Sequence, residues 1–197
     1  MGNVPVGSGP ASVAVNPVTN KIYVANFNSA SVTVIDGTNN VTSTVATGSQ
    51  PFPVAVNSVT NKIYVANRGS GSVTVIDGTN NSTTTVGAGT SPRAIAVNSV
   101  TNKIYVANQG GNVTAIDGTD NSSVTIAAGT FPGAIAVNPV TNKIYVVNRD
   151  SLNVTVIDGA QHHYHRCRWS RTFCHRGQSS HQQDLRQQFK QQQRYGN

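Results

Sequence analysis

Cysteine, histidine and glutamate are all missing from residues 1–160 of this 197-residue chain. Without histidine no Ser-His-Asp set can form there, and without cysteine there is neither a thiol nucleophile nor a disulfide that would indicate a redox compartment. The region has six scattered aspartates, and four of them fall in Asp-Gly pairs that are typical of turns, which is poor material for an acid–base pair. These absences predict a protein that is not an enzyme and has no catalytic residues and no cofactor.

Long apolar runs are absent as well. No stretch of about 18 apolar residues occurs, so we expect no membrane span. No basic-then-apolar signal segment begins the chain. Gly7 nevertheless aligns with a regularly spaced series of later glycines, namely Gly48, Gly89 and Gly129. Met1 therefore falls inside a repeat, and we expect the true start to lie upstream.

Composition divides the chain into two regions. Residues 1–160 have four lysines and three arginines against six aspartates, a formal charge of +1. Residues 161–197 have one lysine and six arginines against one aspartate, a formal charge of +6, together with all five histidines, both cysteines and nine of the eleven glutamines. The first region is expected to form one compact core, and the second is a basic, Gln- and His-rich tail whose low apolar content predicts disorder.

The first region is a repeat. The sequence Asn-Lys-Ile-Tyr-Val occurs four times, and its tyrosines are evenly spaced at Tyr23, Tyr64, Tyr105 and Tyr145. Ile-Asp-Gly follows each copy, and within residues 51–89 the apolar and β-branched runs predict four short strands, the third of them closed by the hairpin signal Asp77-Gly78. A single sheet of this size cannot bury its own faces, whereas stacked copies with a period of about 40 residues predict the blades of a β-propeller.

These motifs also carry a family resemblance. Asn20-Lys-Ile-Tyr-Val-Ala-Asn26 and Ser31-Val-Thr-Val-Ile-Asp-Gly37 closely resemble the YVTN β-propeller repeat, over residues 1–160. The resemblance implies a binding or structural scaffold of an extracytoplasmic or cell-surface protein, such as a surface-layer protein. Propellers of this family usually have about seven blades, within the normal range of such folds. Four repeats then predict an all-β open arc, or a small ring in which residues 3–6 supply the last outer strand.

The repeat stops after Asp158-Gly159, but its period continues in another reading frame. Read one nucleotide later, residues 175–186 can encode Ile-Ala-Val-Asn-Pro-Val-Thr-Asn-Lys-Ile-Tyr-Val. The hidden tyrosine falls at Leu185, one full period after Tyr145, and residues 193–197 can encode Ser-Val-Thr-Val-Ile. The sequence therefore predicts a frameshift near Ala160, and the fragment is expected to be truncated.

The frameshift changes what the tail motifs indicate. Its histidines and cysteines are residue types that bind zinc, but their spacing matches no zinc finger, and shifted Thr and Ala codons produce both types. The residues concerned are His162, His163, His165, Cys167, Cys174 and His175. Basic and aromatic residues such as Trp169 could indicate nucleic acid, but the sequence favours an unselected, disordered tail as their explanation. We predict no metal site and no nucleic-acid partner.

Residues that recur in every repeat are interpreted as structural. The repeated asparagines, such as Asn61, are expected to adopt the left-handed backbone conformation, and the repeated lysines, such as Lys62, to cover turns. The repeated tyrosines, such as Tyr64, are expected to pack between blades with their hydroxyls on polar partners. Asp117-Gly-Thr-Asp120 resembles the start of a calcium loop but lacks the later ligands.

Function is expected where the repeats differ. Two loops per blade should reach one rim: the loop between the second and third strands, and the link into the next blade. The candidate ligand-binding residues there are Phe27, Arg68, Gln109, Arg149, Phe52, Arg93 and Phe131. Arg and aromatic residues are enriched at binding hot spots, so a protein or glycan partner is predicted, while ordinary loop variation is the alternative.

Two alternatives remain open from the sequence. An arc that stays open has two apolar end faces, which predicts self-association. The chain could also be a fragment of a propeller enzyme, lactonase-like or quinoprotein-like, whose catalytic residues lie in missing blades.

Overall fold

The structure, a computed structural model, describes residues 2–161. Within that range it is all-β, and its fifteen strands form four consecutive antiparallel sheets in which the strands pair in chain order. Each sheet is one sequence repeat, so the predicted blades of a β-propeller are confirmed. Residues 162–197, for which the sequence predicts disorder and a shifted frame, lie outside the described residues, and the histidines and cysteines considered for zinc lie there too.

The four sheets, called blades 1 to 4, have closely similar strand lengths. Blade 1 comprises β1 (Pro10–Asn16), β2 (Lys21–Asn26), β3 (Ser31–Asp36) and β4 (Thr42–Ala46). Blade 2 comprises β5 (Pro51–Asn57), β6 (Lys62–Asn67), β7 (Ser72–Asp77) and β8 (Thr83–Gly87). Blade 3 comprises β9 (Pro92–Asn98), β10 (Lys103–Asn108), β11 (Asn112–Asp117) and β12 (Ser123–Ala127). Blade 4 comprises β13 (Pro132–Asn138), β14 (Lys143–Asn148) and β15 (Asn153–Asp158), followed by a 3-10 turn, Gly159–Gln161.

Blade 4 differs from the others because it has three strands within the described residues. The residues that the repeat would use for its outer strand follow Gln161. Residues 3–6 form no strand, so they do not supply that outer strand, and the alternative of a ring closed through them is not what the structure shows. Blade 1 leaves Val13 exposed and blade 4 leaves Val154 exposed, so residues 2–161 form an open arc.

The blades stack face to face through their inner strands. β1 lies against β5, β5 against β9, and β9 against β13. Each joint between consecutive blades has its own apolar cluster, and the repeated tyrosine belongs to it: Tyr23 packs with Ile63 and Val65 of the next blade, and Tyr64 with Ile104 and Val106. The predicted role of these tyrosines in packing between blades is confirmed.

The tyrosine hydroxyls do not behave as predicted. Those of Tyr23 and Tyr64 are buried and form no hydrogen bond with any residue between 2 and 161. Burial raises the pKa of Tyr64 to about 12, and the carboxylate of Asp117 in the next blade contributes to the rise.

The repeated asparagines adopt the predicted left-handed conformation. Their φ angles are 51° at Asn20, 52° at Asn61, 53° at Asn102 and 51° at Asn142. The Asp-Gly pairs of blades 1 to 3 close hairpins, as predicted, at the start of the loop between the third and fourth strands. In blade 2 the Asp77 N–H donates to Ser82 O at 2.9 Å, and the left-handed residue is Asn81, with a φ of 62°.

Gly78 is needed because two loops approach closely at this position. A Cβ atom on Gly78 would lie 2.8 Å from the carbonyl oxygen of Asn61, to which the Gly78 N–H donates. Close approach of two loops, rather than a positive φ, therefore requires glycine at this position.

Candidate functional site

The predicted rim exists as one edge of the arc. In every blade the first residue of the loop between the second and third strands donates its backbone N–H to the link that precedes the inner strand. Arg68 donates to Gln50 O at 2.9 Å, and Arg149 donates to Phe131 O at 3.0 Å. Phe27 donates to Gly9 O at 2.8 Å, and Gln109 to Ser91 O at 3.2 Å. Both loops of each blade therefore meet on the same edge, as the sequence predicts.

The link residues at these contacts have left-handed backbone. Gly9 stands there in blade 1 with a φ of 64°, and Phe131 stands at the equivalent position of blade 4 with a φ of 56°. An aromatic residue rarely adopts this conformation, because its Cβ crowds the backbone. The rim thus keeps a costly conformation at Phe131, which is a feature often found at binding surfaces.

Two Arg–aromatic pairs bring four of the candidate residues together. The Arg149 guanidinium carbon lies 3.9 Å from the centre of the Phe131 ring. The Arg93 guanidinium carbon lies 5.3 Å from the centre of the Phe52 ring, across the joint between blades 2 and 3. Both distances are within the range of cation–π attraction. The rings are half-buried, so each pair presents a cation and an apolar surface together.

Sequence reasoning missed the bulges that place the second pair. Strand register shifts between Pro51 and Val54 in blade 2, and opposite Pro92 in blade 3. Arg93 is the residue without a ladder partner in blade 3, and Phe52 shares that position with Pro53 in blade 2. Bulges turn a side chain out of the regular alternation, and the preceding prolines are the sequence signal, since proline within a sheet is confined to edges and bulges.

Phe27, Arg68 and Gln109 share the rim but do not join these pairs. Their side chains make no hydrogen bond or ion pair with the other candidates in the described part of the chain. Beneath them, sequence reasoning missed a buried support: Asn67 Nδ2 donates to Ser72 Oγ at 3.0 Å and to Thr74 Oγ1 at 2.9 Å. Equivalent asparagines in the other blades hold their loops in the same way, namely Asn26, Asn108 and Asn148.

The two edges of the arc carry different charges. All three arginines of residues 1–160 lie on the rim, where Asp150 pairs with Arg149 at 2.8 Å. The opposite edge carries the Asp-Gly loops and the lysines. The Thr79 N–H donates to Asp77 Oδ1 at 2.8 Å, and this hydrogen bond lowers the pKa of Asp77. The rim is therefore the cationic edge.

The repeated lysines also occupy the opposite edge. Lys62 Nζ donates to the Gly118 carbonyl at 2.9 Å, so it covers a turn of the next blade, as predicted. Lys103 Nζ instead binds Asp117 Oδ2 at 2.6 Å, and this hydrogen bond lowers the pKa of Asp117. Asp120 accepts from the Ser122 N–H at 2.8 Å. The two carboxylates of the calcium-like stretch therefore serve turns and a lysine.

No three His, Cys, Asp or Glu side chains of residues 2–161 lie close enough together to hold a metal ion. The same residues contain no helix with the length and hydrophobicity that crossing a membrane requires.

Comparison with protein-family models and with curated proteins gave no match. Solved structures do share the fold. The chain is similar to hydrazine synthase from Kuenenia stuttgartiensis, with a TM-score of 0.71, 24% identity and coverage of 81% of this chain and 49% of that one. It is also similar to a protein of unknown function from Desulfotomaculum acetoxidans, with a TM-score of 0.65, 17% identity and coverage of 81% and 58%. The chain thus spans about half the length of both structures, and the likeness establishes a β-propeller-like fold.

Proposed function

We propose that this chain is part of a non-catalytic, YVTN-type β-propeller that binds a protein or glycan partner at its rim, in an extracytoplasmic or cell-surface protein. The observation that carries the proposal is the pairing of Arg93 with Phe52 and of Arg149 with Phe131 on the cationic edge. Arginine and aromatic residues dominate binding hot spots, because they combine large contact area with charge-assisted hydrogen bonds.

The charge of the rim indicates which class of partner it would bind. Three arginines against one aspartate favour a ligand with carboxylate or sulfate groups, which guanidinium binds in a bidentate manner. The aromatic rings add apolar surface on which a sugar face or an aromatic side chain can stack. An acidic polysaccharide or an acidic protein segment fits both properties.

The experiment measures binding of the full chain to acidic and neutral polysaccharides and to acidic peptides, by calorimetry at low and high salt. We expect Arg93→Ala and Arg149→Ala each to weaken binding about tenfold or more. Lys103→Ala removes the same charge from the opposite edge and serves as the matched control. Equal losses in all three variants would reject the rim as the site, because they would reflect net charge alone.

The proposal includes a frameshift near Ala160, and one tail residue supports it independently. Tryptophan has a single codon, and reading Trp169 one nucleotide later gives glycine whatever base follows. Trp169 stands six positions before the hidden isoleucine at His175, as Gly89 stands six positions before Ile95. Glycine is required at this position, because a Cβ on Gly89 would lie 2.7 Å from Asn108 Nδ2. Sequencing the gene tests the idea, and a shifted frame that encodes no blade would reject it.

The enzyme alternative is tested by the same gene. A propeller enzyme would need histidine or acidic residues around its central channel, and these would have to come from blades beyond the four described here. Likeness to hydrazine synthase at 24% identity concerns the fold and does not carry that enzyme's activity to this chain. Histidine or glutamate at inner-strand positions of further blades would favour the enzyme over the binding module.

A further inference from the structure

The three joints between blades are built from equivalent residues of the repeat. On one side of each joint lies the trailing face, which includes the repeated tyrosine and the valine or alanine residues near it. On the other side lies the leading face of the next blade, which includes the repeated isoleucine and valine of the second strand. Tyr23, Tyr64 and Tyr105 are 0%, 0% and 1% exposed, so each completed joint excludes water from its tyrosine.

Each end of the arc presents half of such a joint. The trailing face of blade 4 leaves Tyr145 38% exposed, and Val154 and Val156 are 52% and 54% exposed. The leading face of blade 1 leaves Val13 and Val15 63% and 54% exposed, whereas their equivalents Val54 and Val56 are buried or partly buried in the joint between blades 1 and 2. The two exposed faces are therefore the two complementary halves of one repeated interface.

We propose that the trailing face of blade 4 binds the leading face of blade 1 of a second copy of this chain, and that two copies close into one ring. The contact would reproduce the joints already present within the arc. It is head-to-tail, so the same pair of faces meets twice in the ring.

Hydrogen bonds across the joints support this occupant. Asn16 Nδ2 donates to Asn61 Oδ1 at 2.8 Å, and Asn98 Nδ2 donates to Asn142 Oδ1 at 2.9 Å. The series leaves one donor and one acceptor at the ends of the arc. Asn138 Nδ2 donates to no residue between 2 and 161, and Asn20 Oδ1 accepts from none, so a second copy would pair these two groups.

A lysine contact repeats at the first two joints, whereas at the third joint Lys103 binds Asp117 of its own blade. Lys21 Nζ donates to the Gly78 carbonyl at 2.8 Å, and Lys62 Nζ donates to the Gly118 carbonyl at 2.9 Å. At the end of the arc, Lys143 occupies the donor position. In the second copy, the Gly37 carbonyl occupies the acceptor position. The polar contacts of the joint are therefore available at both ends, as well as its apolar contacts.

Blade number favours closure by two copies. Two arcs of four blades give eight, at the upper end of the range of about four to eight blades for propellers. Three copies would exceed that range. The trailing face of blade 4 departs from the internal joints in two ways. Within the described residues it has no fourth strand, which in blades 1 and 2 contributes Val45 and Val86 to the joint. Val147 also replaces the alanine found in the other blades at Ala25, Ala66 and Ala107, and it adds bulk.

The test measures the mass of the full chain by light scattering after chromatography and by native mass spectrometry, over a range of micromolar concentrations. We expect a discrete species of two copies. Val13→Asp and Val154→Asp should each weaken it about 100-fold, because each puts an unpaired carboxylate into both joints of the ring. Val59→Asp is the matched control, since Val59 is 74% exposed in the turn between β5 and β6 and faces no joint.

Mixing the two variants distinguishes a head-to-tail contact from other pairings. In a mixed ring, one joint combines both substitutions and the other is unaltered, so mixing should restore association of the two variants. A symmetric contact between two blade 4 faces would ignore Val13→Asp and would not be restored by mixing. Both substituted residues are exposed in the single chain, so circular dichroism should show unchanged folding.

A monomer at all concentrations would overturn the proposal, as would an open-ended series of larger species or a two-copy species that survives Val13→Asp. Val147→Ala provides a further check, because it restores the residue of the internal joints. It should retain the two-copy species, whereas general hydrophobic association would weaken as apolar surface is removed.

Discussion

Asn57 Nδ2 donates to Asn102 Oδ1 at 2.9 Å and thereby joins blade 2 to blade 3. The Asn57 side chain is fully buried, and its own Oδ1 accepts the Val59 N–H at 3.1 Å. One asparagine therefore closes a local turn and bonds to the neighbouring blade, while Asn102, the residue that accepts this bond, has a left-handed backbone.

Asn57→Ala is expected to lower the free energy of unfolding by about 1–3 kcal/mol, because it removes a fully buried side chain together with its hydrogen bonds to Asn102 and Val59. Urea unfolding monitored by circular dichroism measures this loss. Asn138→Ala is the matched control: Asn138 closes the same local turn by accepting the Val140 N–H at 3.0 Å, without a bond to another blade among the described residues. At concentrations low enough to keep the chain monomeric, equal losses would show that the bond across the joint contributes nothing.

Alkaline pH should weaken the joints. In the unfolded chain Tyr64 titrates near 10, whereas burial raises its folded pKa to about 12. Below pH 10 the Tyr64 hydroxyl keeps its proton in both the folded and the unfolded chain, so the stability that depends on this proton is fully present. Between pH 10 and about 12 the unfolded state loses its proton first, so the free energy of unfolding should fall as pH rises. Urea unfolding at a series of pH values measures the slope.

Tyr64→Phe separates the hydroxyl from the ring. Since the hydroxyl has no hydrogen-bond partner in residues 2–161, we expect the variant to be as stable as the parent at neutral pH, within about 1 kcal/mol, and less sensitive to alkaline pH. A large loss of stability at neutral pH would mean that the hydroxyl is bonded after all. Thermal and urea unfolding of the two proteins give the comparison.

Gly37→Ala is expected to destabilise blade 1 by about 1–3 kcal/mol, because the new Cβ would lie 2.5 Å from Asn20 Oδ1 and 2.7 Å from its carbonyl oxygen. Gly87→Ala is the matched control, since a Cβ there meets nothing within 4 Å. Thermal unfolding of both variants tests the difference. Similar melting temperatures would show that the two loops separate at little cost.

Phe131→Gly should be more stable than Phe131→Ala by about 1 kcal/mol, although glycine is the weaker residue elsewhere in sheets. Both substitutions remove the ring that Arg149 covers, so the difference isolates the left-handed backbone at a φ of 56°. Denaturant unfolding measures it. If alanine were the more stable replacement, the rim would not hold this conformation in solution.

The repeat made most of the fold predictable from sequence. The period of the repeat identified the blades. Asn61 and Tyr64 were identified as structural because they recur in every repeat, and a residue that packs one blade against the next is needed in each of them. The same comparison placed Arg68 and Arg149 on one rim. These predictions required no knowledge of contacts between distant residues.

The features that could not be predicted from the sequence depend on contacts between distant residues. Asp77-Gly78 correctly indicated a hairpin, but the sequence did not show that glycine is needed there because the loop of Asn61 lies against it. The pairing of Arg93 with Phe52 crosses a joint and depends on two bulges that alternation alone does not reveal. Whether the Tyr64 hydroxyl finds a hydrogen-bond partner depends on which atoms of the next blade surround it.

The likeness of the joints has a consequence for how such a gene can change. Because Tyr23 and Tyr105 meet the same kinds of residue in their respective neighbours, deleting or duplicating one whole repeat leaves every remaining interface with its original chemistry. Unequal recombination between the near-identical repeats would thus alter blade number without creating a mismatched contact. In this chain the number of blades is a quantity that a single genetic event can change, while the identity of each interface stays fixed.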